Sequence, residues 1–151
     1  MKRSTFARVW SFWPPYLFAG IRVLSISEDA RHARVRLRRH WWNRNAFGTH
    51  FGGSLVAMVN PFWPLMVREN LGPGYVVWDT RNEIDFVKAM RADVFAEFHL
   101  DPATVEELRA AAAGGAKVLR WFPFAIVDAH GAIAARGRIE VYVRRKRVSQ
   151  S

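Results

Sequence analysis

The chain has 151 residues, half of them hydrophobic and 14% aromatic. This size and composition suit one globular domain and exclude global disorder. Lysine and arginine number 23 against 13 aspartates and glutamates, giving a formal net charge of +10, which favours polyanionic partners such as nucleic acid, anionic lipid or a phosphorylated ligand. Cysteine is absent, which excludes disulfides, thiolate metal sites and a cysteine nucleophile and fits a cytoplasmic protein.

The first 15 residues form a basic and aromatic segment. Residues 9–21 are largely apolar, but Arg8 and the pair Pro14–Pro15 interrupt the run and no small-x-small cleavage site follows. We therefore predict neither a signal peptide nor a membrane span, but a short helix before Pro14 that covers a groove or a neighbouring subunit. The second interpretation, an anchor in a membrane surface, rests on three aromatic residues beside basic ones: Trp10, Phe12 and Trp13.

Hydrophobic patterning predicts a hairpin followed by a buried helix. Residues 21–27 and 32–39 read as paired strands, and the second alternates apolar residues with arginines on its solvated face: Ala33, Val35 and Leu37 against Arg34, Arg36 and Arg38. Residues 54–69 are apolar on almost all sides, which is typical of a buried helix. Pro61 and Pro64 predict a kink or a break near Asn60.

The second half of the chain predicts four more strands and one short helix. Residues 75–88 and 92–100 read as strands, and Asp101 caps a helix that ends at Gly114 or Gly115. Residues 117–127 and 132–145 form a final hairpin across the loop 128–131, with Pro123 indicating an edge or a bulge and Ile133 facing inward. A basic tail occupies 145–151. The order predicts an α+β fold, with an antiparallel sheet wrapped around the buried helix as a single domain over residues 1–151.

The segment before the buried helix carries a distinctive motif. Asn45 is followed by the run Gly48-Thr49-His50-Phe51-Gly52-Gly53, and Asn60 lies seven residues after Gly53. This pattern resembles the hotdog-fold acyl-CoA thioesterases of the phenylacetate-pathway type. Those proteins carry an Asn, a Gly, then His-Gly-Gly at the start of the central helix, and a carboxylate seven residues after the second Gly. The chain is most similar to a branch of that superfamily with the same Gly-Thr-His-Phe-Gly-Gly signature.

The resemblance implies a hotdog fold, a homodimer or homotetramer with sites between subunits, and an acyl-CoA thioester as substrate. Coenzyme A would then be part of the substrate, with no separate cofactor. Two positions depart from the family pattern, because Phe51 stands at the usual His and Asn60 at the usual carboxylate. The candidate catalytic residues are Asn45, His50, Gly52, Gly53 and Asn60. The candidate substrate-binding residues are Phe51, Ser54, Asp85 and Lys88.

Thioester hydrolysis needs an anion-stabilising site and an activated water. Backbone N–H groups at a helix start can hold the carbonyl oxygen, and glycines let it approach closely. Asn60 can hold a water but cannot accept a proton, so a base is expected among four other residues, if the fold or a second subunit brings one near: His50, Asp79, Glu83 and Asp85. Structural roles stay open as alternatives, with the glycines allowing tight packing, Asn45 and His50 bracing the loop, and Asn60 satisfying backbone groups freed by the prolines.

Three functions compete at this point. The first is an acyl-CoA thioesterase, and the second is a non-catalytic acyl or acyl-CoA binder, which the missing carboxylate favours. A nucleic-acid-binding module ranks third. The basic residues are not interleaved with aromatic ones as on a surface that binds single strands, and the Arg144–Arg147 cluster is typical of a solvated terminus. No metal site is predicted, because the histidines show no ligand spacing: His32, His40, His50, His99 and His130.

Overall fold

A computed structural model describes residues 9–147. Its strands are β1 (Ile21–Ile26), β2 (His32–Leu37), β3 (Tyr75–Phe86), β4 (Val94–His99), β5 (Val118–Val127) and β6 (Ile133–Arg145). Its helices are α1 (Pro14–Ala19), α2 (Gly52–Val59), α3 (Phe62–Leu71) and α4 (Pro102–Ala111). The strands form one antiparallel sheet in the order β1-β2-β4-β5-β6-β3. β3 and β1 are therefore the edges of the sheet.

The sheet wraps one face around α2 and α3, as the sequence predicts. The inward residues of β2 and β4 are almost completely buried, and so are those of β6 from Ala135 onward. They are Ala33, Val35, Leu37, Val94, Ala96, Phe98, Ala135, Ile139, Val141 and Val143. On the helices, Met58, Phe62 and Val67 are equally buried. These two layers form one apolar core, which is the main source of stability in such a fold.

The predicted break in the buried helix is confirmed. α2 ends at Val59 and α3 begins at Phe62, with Asn60 and Pro61 between them. Pro61 sits at the N-cap of α3 and Pro64 in its first turn, where the backbone N–H has no intrahelical acceptor, so neither proline removes a helical hydrogen bond. The break allows both halves to remain regular.

Helix α1 packs on the central helix of its own chain, whereas residues 1–8 of the predicted N-terminal segment lie outside the described residues. Residues 9–11 are helical, before Pro14. α1 follows with Pro14 in its first turn, and the sequence did not predict this second helical segment. Tyr16 of α1 is buried, and its hydroxyl donates to the Ala57 carbonyl of α2 at 2.9 Å; burial raises the pKa of this phenol. Within residues 9–147, no helix combines the length and apolar character needed to cross a bilayer.

Pro123 occupies a local edge position, as predicted, although β5 as a whole lies between β4 and β6. β4 pairs with β5 only at Phe95–Val127 and Ala96–Ile126. Pro123 therefore has a strand on one side alone, and its missing N–H interrupts no ladder there. Its carbonyl accepts a hydrogen bond from the Trp63 indole at 3.1 Å.

Two side chains of β6 differ from the simple alternation predicted for it. Ile133 is 37% exposed, because a register shift beside Ile126 and Val127 turns the start of the strand outward. Glu140, predicted on the solvated face, is 7% exposed and accepts a hydrogen bond from the Thr80 hydroxyl at 2.7 Å. The remaining elements agree to within a few residues, and Asp101 caps α4 by accepting from the Ala103 N–H at 2.8 Å.

Candidate functional site

The amino end of α2 is the chemically distinctive point of the fold. The helix begins at Gly52, and its N-cap residue Phe51 supplies no side-chain hydrogen bond. The N–H groups of Gly52 and Gly53 donate to no residue between 9 and 147. Such unpaired donors, together with the helix dipole, favour an anion or a polarised carbonyl oxygen.

Phenyl rings pack closely against both glycines. A Cβ on Gly52 would lie 3.1 Å from the Phe86 ring, and one on Gly53 would lie 2.5 Å from the Phe51 ring. Phe51 and Phe86 are more than half exposed, so these rings flank the helix start at the protein surface. The glycines thus allow tight ring packing, and they also leave the backbone open to a ligand.

A cavity of about 500 Å³ opens beside Gly52, within the usual range for small-molecule sites. It is lined by four of the sequence-predicted residues: Asn45, His50, Gly52 and Lys88. The sequence did not identify the others, chiefly Phe47, Leu55, Phe86, Met90 and Arg91. Phe86 ends β3, and in the 87–93 segment that follows it the sequence identified only Lys88.

His50 is the buried titratable group of this cavity. Its Nε2 lies 2.6 Å from the Ala92 carbonyl oxygen; a carbonyl only accepts, so Nε2 carries the proton and Nδ1 holds a lone pair. Nδ1 is shielded from solvent and has no partner. Burial lowers the pKa of His50, more than the Ala92 hydrogen bond raises it, so the ring is neutral at neutral pH.

Arg39 and Asp93 set the charge around His50. Arg39 lowers the pKa of His50 and Asp93 raises it. Burial alone would raise the pKa of the Asp93 carboxyl, but hydrogen bonds from the Arg39 N–H and the Arg36 guanidinium hold it below its usual range. Asp93 therefore stays ionised and fixes the segment that carries the Ala92 carbonyl.

Asn45 closes the loop that precedes α2. Its Oδ1 accepts from the N–H groups of Phe47 and Thr49, both at 3.0 Å. Its Nδ2 donates to the Thr49 hydroxyl and the His50 carbonyl, at 2.9 and 3.2 Å. With both ends of the amide engaged, Asn45 acts as the brace of this loop and shapes the cavity wall.

Asn60 lies at the opposite end of α2. Eight residues at 1.5 Å each separate it from Gly52 by roughly 12 Å along the helix. Its Oδ1 accepts a hydrogen bond from the Asn82 amide of β3 at 3.3 Å, and the buried Asn82 Oδ1 has no partner. Within one chain, the structure therefore does not bring Asn60 to the cavity beside Gly52.

The structure also leaves other sequence-predicted residues outside this cavity. Gly53, Phe51 and Ser54 belong to the first turn of α2 but do not line it. Asp85 and Glu83 pair with Arg136 and Arg138 on the outer side of the sheet, away from the helix. Asp79 shares the helix-facing register but is not part of the lining. Among the described residues, no carboxylate lines the cavity.

A larger cavity of about 940 Å³ lies on the outer side of the sheet, where β4 and β5 separate. Asp85 and Glu83 belong to it, together with Arg136 and Arg138. Glu83 forms an ion pair with Arg138 at 2.7 Å, which lowers the pKa of its carboxyl. This outer cavity contains no helix terminus. The smaller cavity includes the amino end of α2, whose unpaired N–H groups can hold a polarised carbonyl oxygen.

The histidines are less scattered than their spacing predicts. β2 pairs with β4, and this register places His32 directly opposite His99. With Glu97 they form a group whose ligand atoms all lie within 4.8 Å of one another. Sequence spacing did not reveal this group, because residues 67 positions apart in sequence, 32 and 99, become cross-strand neighbours.

These features define a hotdog-fold protein, in which an antiparallel sheet wraps a central helix whose amino end opens into a cavity. Solved structures agree in fold over nearly the whole chain. Protein PA5026 of Pseudomonas aeruginosa, described as a probable thioesterase, has a TM-score of 0.81 at 16% identity, covering 95% of this chain and 96% of its own. The thioesterase HI1161 of Haemophilus influenzae has a TM-score of 0.70 at 13% identity, covering 100% and 96%.

A third solved structure agrees in fold to a similar extent. Protein OLEI01261 of Chlorobaculum tepidum has a TM-score of 0.74 at 13% identity, covering 95% of this chain and 94% of its own. Residues 2–143 match the family described as a domain of unknown function, DUF4442, and the chain belongs to that family. No curated protein matches the sequence.

Proposed function

We propose that this protein binds acyl-CoA thioesters in the α2 cavity and hydrolyses them as a homo-oligomer. The observation that carries the proposal is the uncapped amino end of α2 opening into a 500 Å³ cavity beside a neutral, buried His50. The thioesterases among the structural neighbours share this fold, and the motif from Asn45 to Gly53 resembles that of the phenylacetate-pathway-type thioesterases.

The carbonyl oxygen of the substrate would accept from the N–H groups of Gly52 and Gly53. These donors gain strength as the oxygen becomes an anion in the tetrahedral intermediate, since the helix dipole points the same way. Removal of one such donor in an enzyme typically reduces kcat by about 10²–10³. The two glycines thus supply stabilisation without a charged side chain.

The rim of the cavity suits both parts of an acyl-CoA. Phe47 and Phe86 line it and are mostly exposed, with Phe51 beside them, so an acyl or aryl group would find apolar contacts. Lys88 and Arg91 line the same cavity, and their charges favour the phosphates of coenzyme A.

His50 is the base that we assign to the reaction. Its Nδ1 would take a proton from a water that attacks the thioester carbon, while Nε2–H stays bonded to the Ala92 carbonyl. Collapse of the tetrahedral intermediate then breaks the C–S bond, and the imidazolium returns the proton to the departing thiolate. Nδ1 is shielded from solvent, so the loop must shift slightly to admit that water.

A second subunit would complete this site. Asn60 stands about 12 Å from Gly52 on its own helix, so both can serve one site only if they come from different protomers. β3 offers the interface, because it is a twelve-residue strand at the edge of the sheet and an unpaired edge can add a strand from another chain. Asn60 would then hold a water, with Asn82 orienting its amide.

A non-catalytic acyl-CoA binder is the second candidate. It is favoured by the absence of a carboxylate from the cavity lining among residues 9–147 and by the shielding of His50 Nδ1. The same carbonyl and phosphate contacts would then give binding without turnover. Among residues 9–147, nucleic-acid binding has no comparable cavity to support it.

A thiol-release assay with a panel of aryl, short-chain and long-chain acyl-CoAs tests the proposal. The protein has no cysteine, so a thiol reagent reports only released coenzyme A. We expect turnover above that of the free thioester. His50→Gln keeps a donor for the Ala92 carbonyl but loses the base, and should lower kcat/KM by about 10²-fold or more.

Asn60→Asp serves as the companion variant and should retain or raise activity, because a carboxylate can accept the proton that an amide cannot. The lysine variant Lys117→Ala, remote from the cavity lining, is the control and should leave kcat/KM unchanged. Saturable binding without turnover would support the binder instead. Absence of any acyl-CoA binding would remove both functions.

A further inference from the structure

Three metal-ligating side chains meet on the outer face of the sheet, away from the α2 cavity. The antiparallel register pairs His32 of β2 with His99 of β4, so both imidazoles project from the same face. Their rings stack with centroids 4.3 Å apart. Glu97 precedes His99 by two residues on β4 and therefore shares that face.

The distances are close to those of a first coordination shell. Glu97 Oε2 lies 4.0 Å from His32 Nε2 and 3.7 Å from His99 Nε2. Around a tetrahedral zinc with bonds of about 2.0–2.2 Å, neighbouring ligand atoms lie about 3.4 Å apart. Closing these two carboxylate–imidazole gaps needs shifts of about 0.3 to 0.6 Å by comparison with that tetrahedron, and the two imidazole nitrogens lie within 4.8 Å of each other. Side chains exposed by 37%, 50% and 71% can make such adjustments.

The Arg34 guanidinium orients the carboxylate of this group. Its Nε lies 3.1 Å from Glu97 Oε1, which leaves Oε2 directed at the two histidines. A partner of this kind fixes a ligating carboxylate from the second shell. The same positive charge repels a dication, so the site should bind more weakly than a buried structural zinc site.

We infer that His32, Glu97 and His99 form a binding site for a divalent late transition metal such as Zn²⁺, with water in the remaining position. Two imidazoles and one carboxylate suit Zn²⁺, Ni²⁺ or Cu²⁺, whereas Mg²⁺ and Ca²⁺ prefer oxygen ligands. The strands hold the ligands in register before a metal arrives. The inference stands apart from the proposed function, since none of the three residues lines the α2 cavity.

Isothermal titration of the full-length chain with ZnCl₂ tests this inference, in a buffer that does not chelate metal. We expect saturable binding of one ion per chain and no heat with MgCl₂. His32→Ala and His99→Ala should each weaken the zinc affinity at least tenfold, and Glu97→Gln should weaken it to a smaller degree. His130→Ala, in the exposed β5–β6 hairpin loop, is the matched control and should bind zinc as the native chain does.

Co²⁺ substitution gives a second readout, because two imidazoles and a carboxylate in a tetrahedral shell produce visible absorption that His99→Ala should abolish. Circular dichroism of each variant establishes that the fold is retained. Absence of zinc binding by the native chain would overturn the inference. So would equal binding by His99→Ala and His130→Ala, which would mean adventitious coordination elsewhere on the surface.

Discussion

His50 links the chemistry of the candidate site to the stability of its loop. Burial lowers the pKa of His50 below its usual value, so the unfolded chain takes up a proton at a pH where the folded chain does not. Below about pH 6.5, the ordinary pKa of histidine, protonation therefore favours unfolding. Stability should fall as the pH drops from about 6.5 through the folded pKa, and level off above this window.

Urea denaturation of the native chain and of His50→Gln between pH 5 and pH 7.5 measures this effect. The variant retains a donor for the Ala92 carbonyl but does not titrate, so its dependence on pH should be shallower. His130→Gln, which alters an exposed hairpin residue, should leave the slope unchanged. Parallel pH profiles for the native chain and His50→Gln would contradict a buried neutral imidazole at this position.

Local motifs made part of the site predictable from the sequence. His50 and Gly52 lie two residues apart in the sequence. A predicted helix start at the diglycine was therefore enough to place both at one cavity. Phe86 and Arg91 come from the end of β3 and the segment after it. Phe86 lies against Gly52 and Arg91 against Gly48, and these contacts depend on how the strand crosses the helix, which no pattern in the sequence encodes.

At the level of elements, Gly137 is the tightest point of the sheet. A Cβ at this position of β6 would lie 1.9 Å from the Glu83 carbonyl oxygen of β3 and 2.9 Å from the Phe124 ring. The obstacle is backbone, so the strands must separate to accommodate it. Gly137→Ala should destabilise the fold by about 1–3 kcal/mol or more, as overpacking does, with a lower urea midpoint.

Gly114→Ala provides the matched control, because nothing lies within 4 Å of its added Cβ. That substitution should leave the midpoint unchanged or raise it slightly, since alanine restricts the unfolded chain. Equal midpoints for the two variants would contradict the close approach of β3 and β6. A loss specific to Gly137→Ala would locate the constraint on the edge strand next to Asn82 and Asn60.

Element types were more predictable than element neighbours. Two prolines within an apolar run were sufficient to predict the break between α2 and α3, because a proline in a helix interior removes a backbone hydrogen bond and clashes with the preceding turn. Pro123 likewise predicted a local edge, but the local rule does not specify which neighbouring strand is absent beside it. The pairing of β2 with β4, which brings His32 to His99, likewise follows from the whole sheet.

At the scale of the whole molecule, the two edges of the sheet differ in what they offer a second copy. β3 has twelve residues and carries Asn82 beside Asn60, whereas β1 has six. If β3 pairs with β3 of a second copy, one Asn60 can approach the Gly52 of the other chain. The particle should then have a mass of about 35 kDa, twice the 17.4 kDa of one chain.

Light scattering after size exclusion gives the mass, and hydrogen–deuterium exchange identifies the edge that pairs. In the dimer, every β3 amide should be protected, because backbone groups on its free side gain partners. The outward amides of β1 serve as the internal control and should exchange quickly at all concentrations. On dilution to monomer, the protection of amides should be lost in β3 and not in β1. Because the monomer would have an incomplete site, thioester turnover should decline over the same concentration range. A 17.4 kDa particle with full turnover would show that one chain suffices.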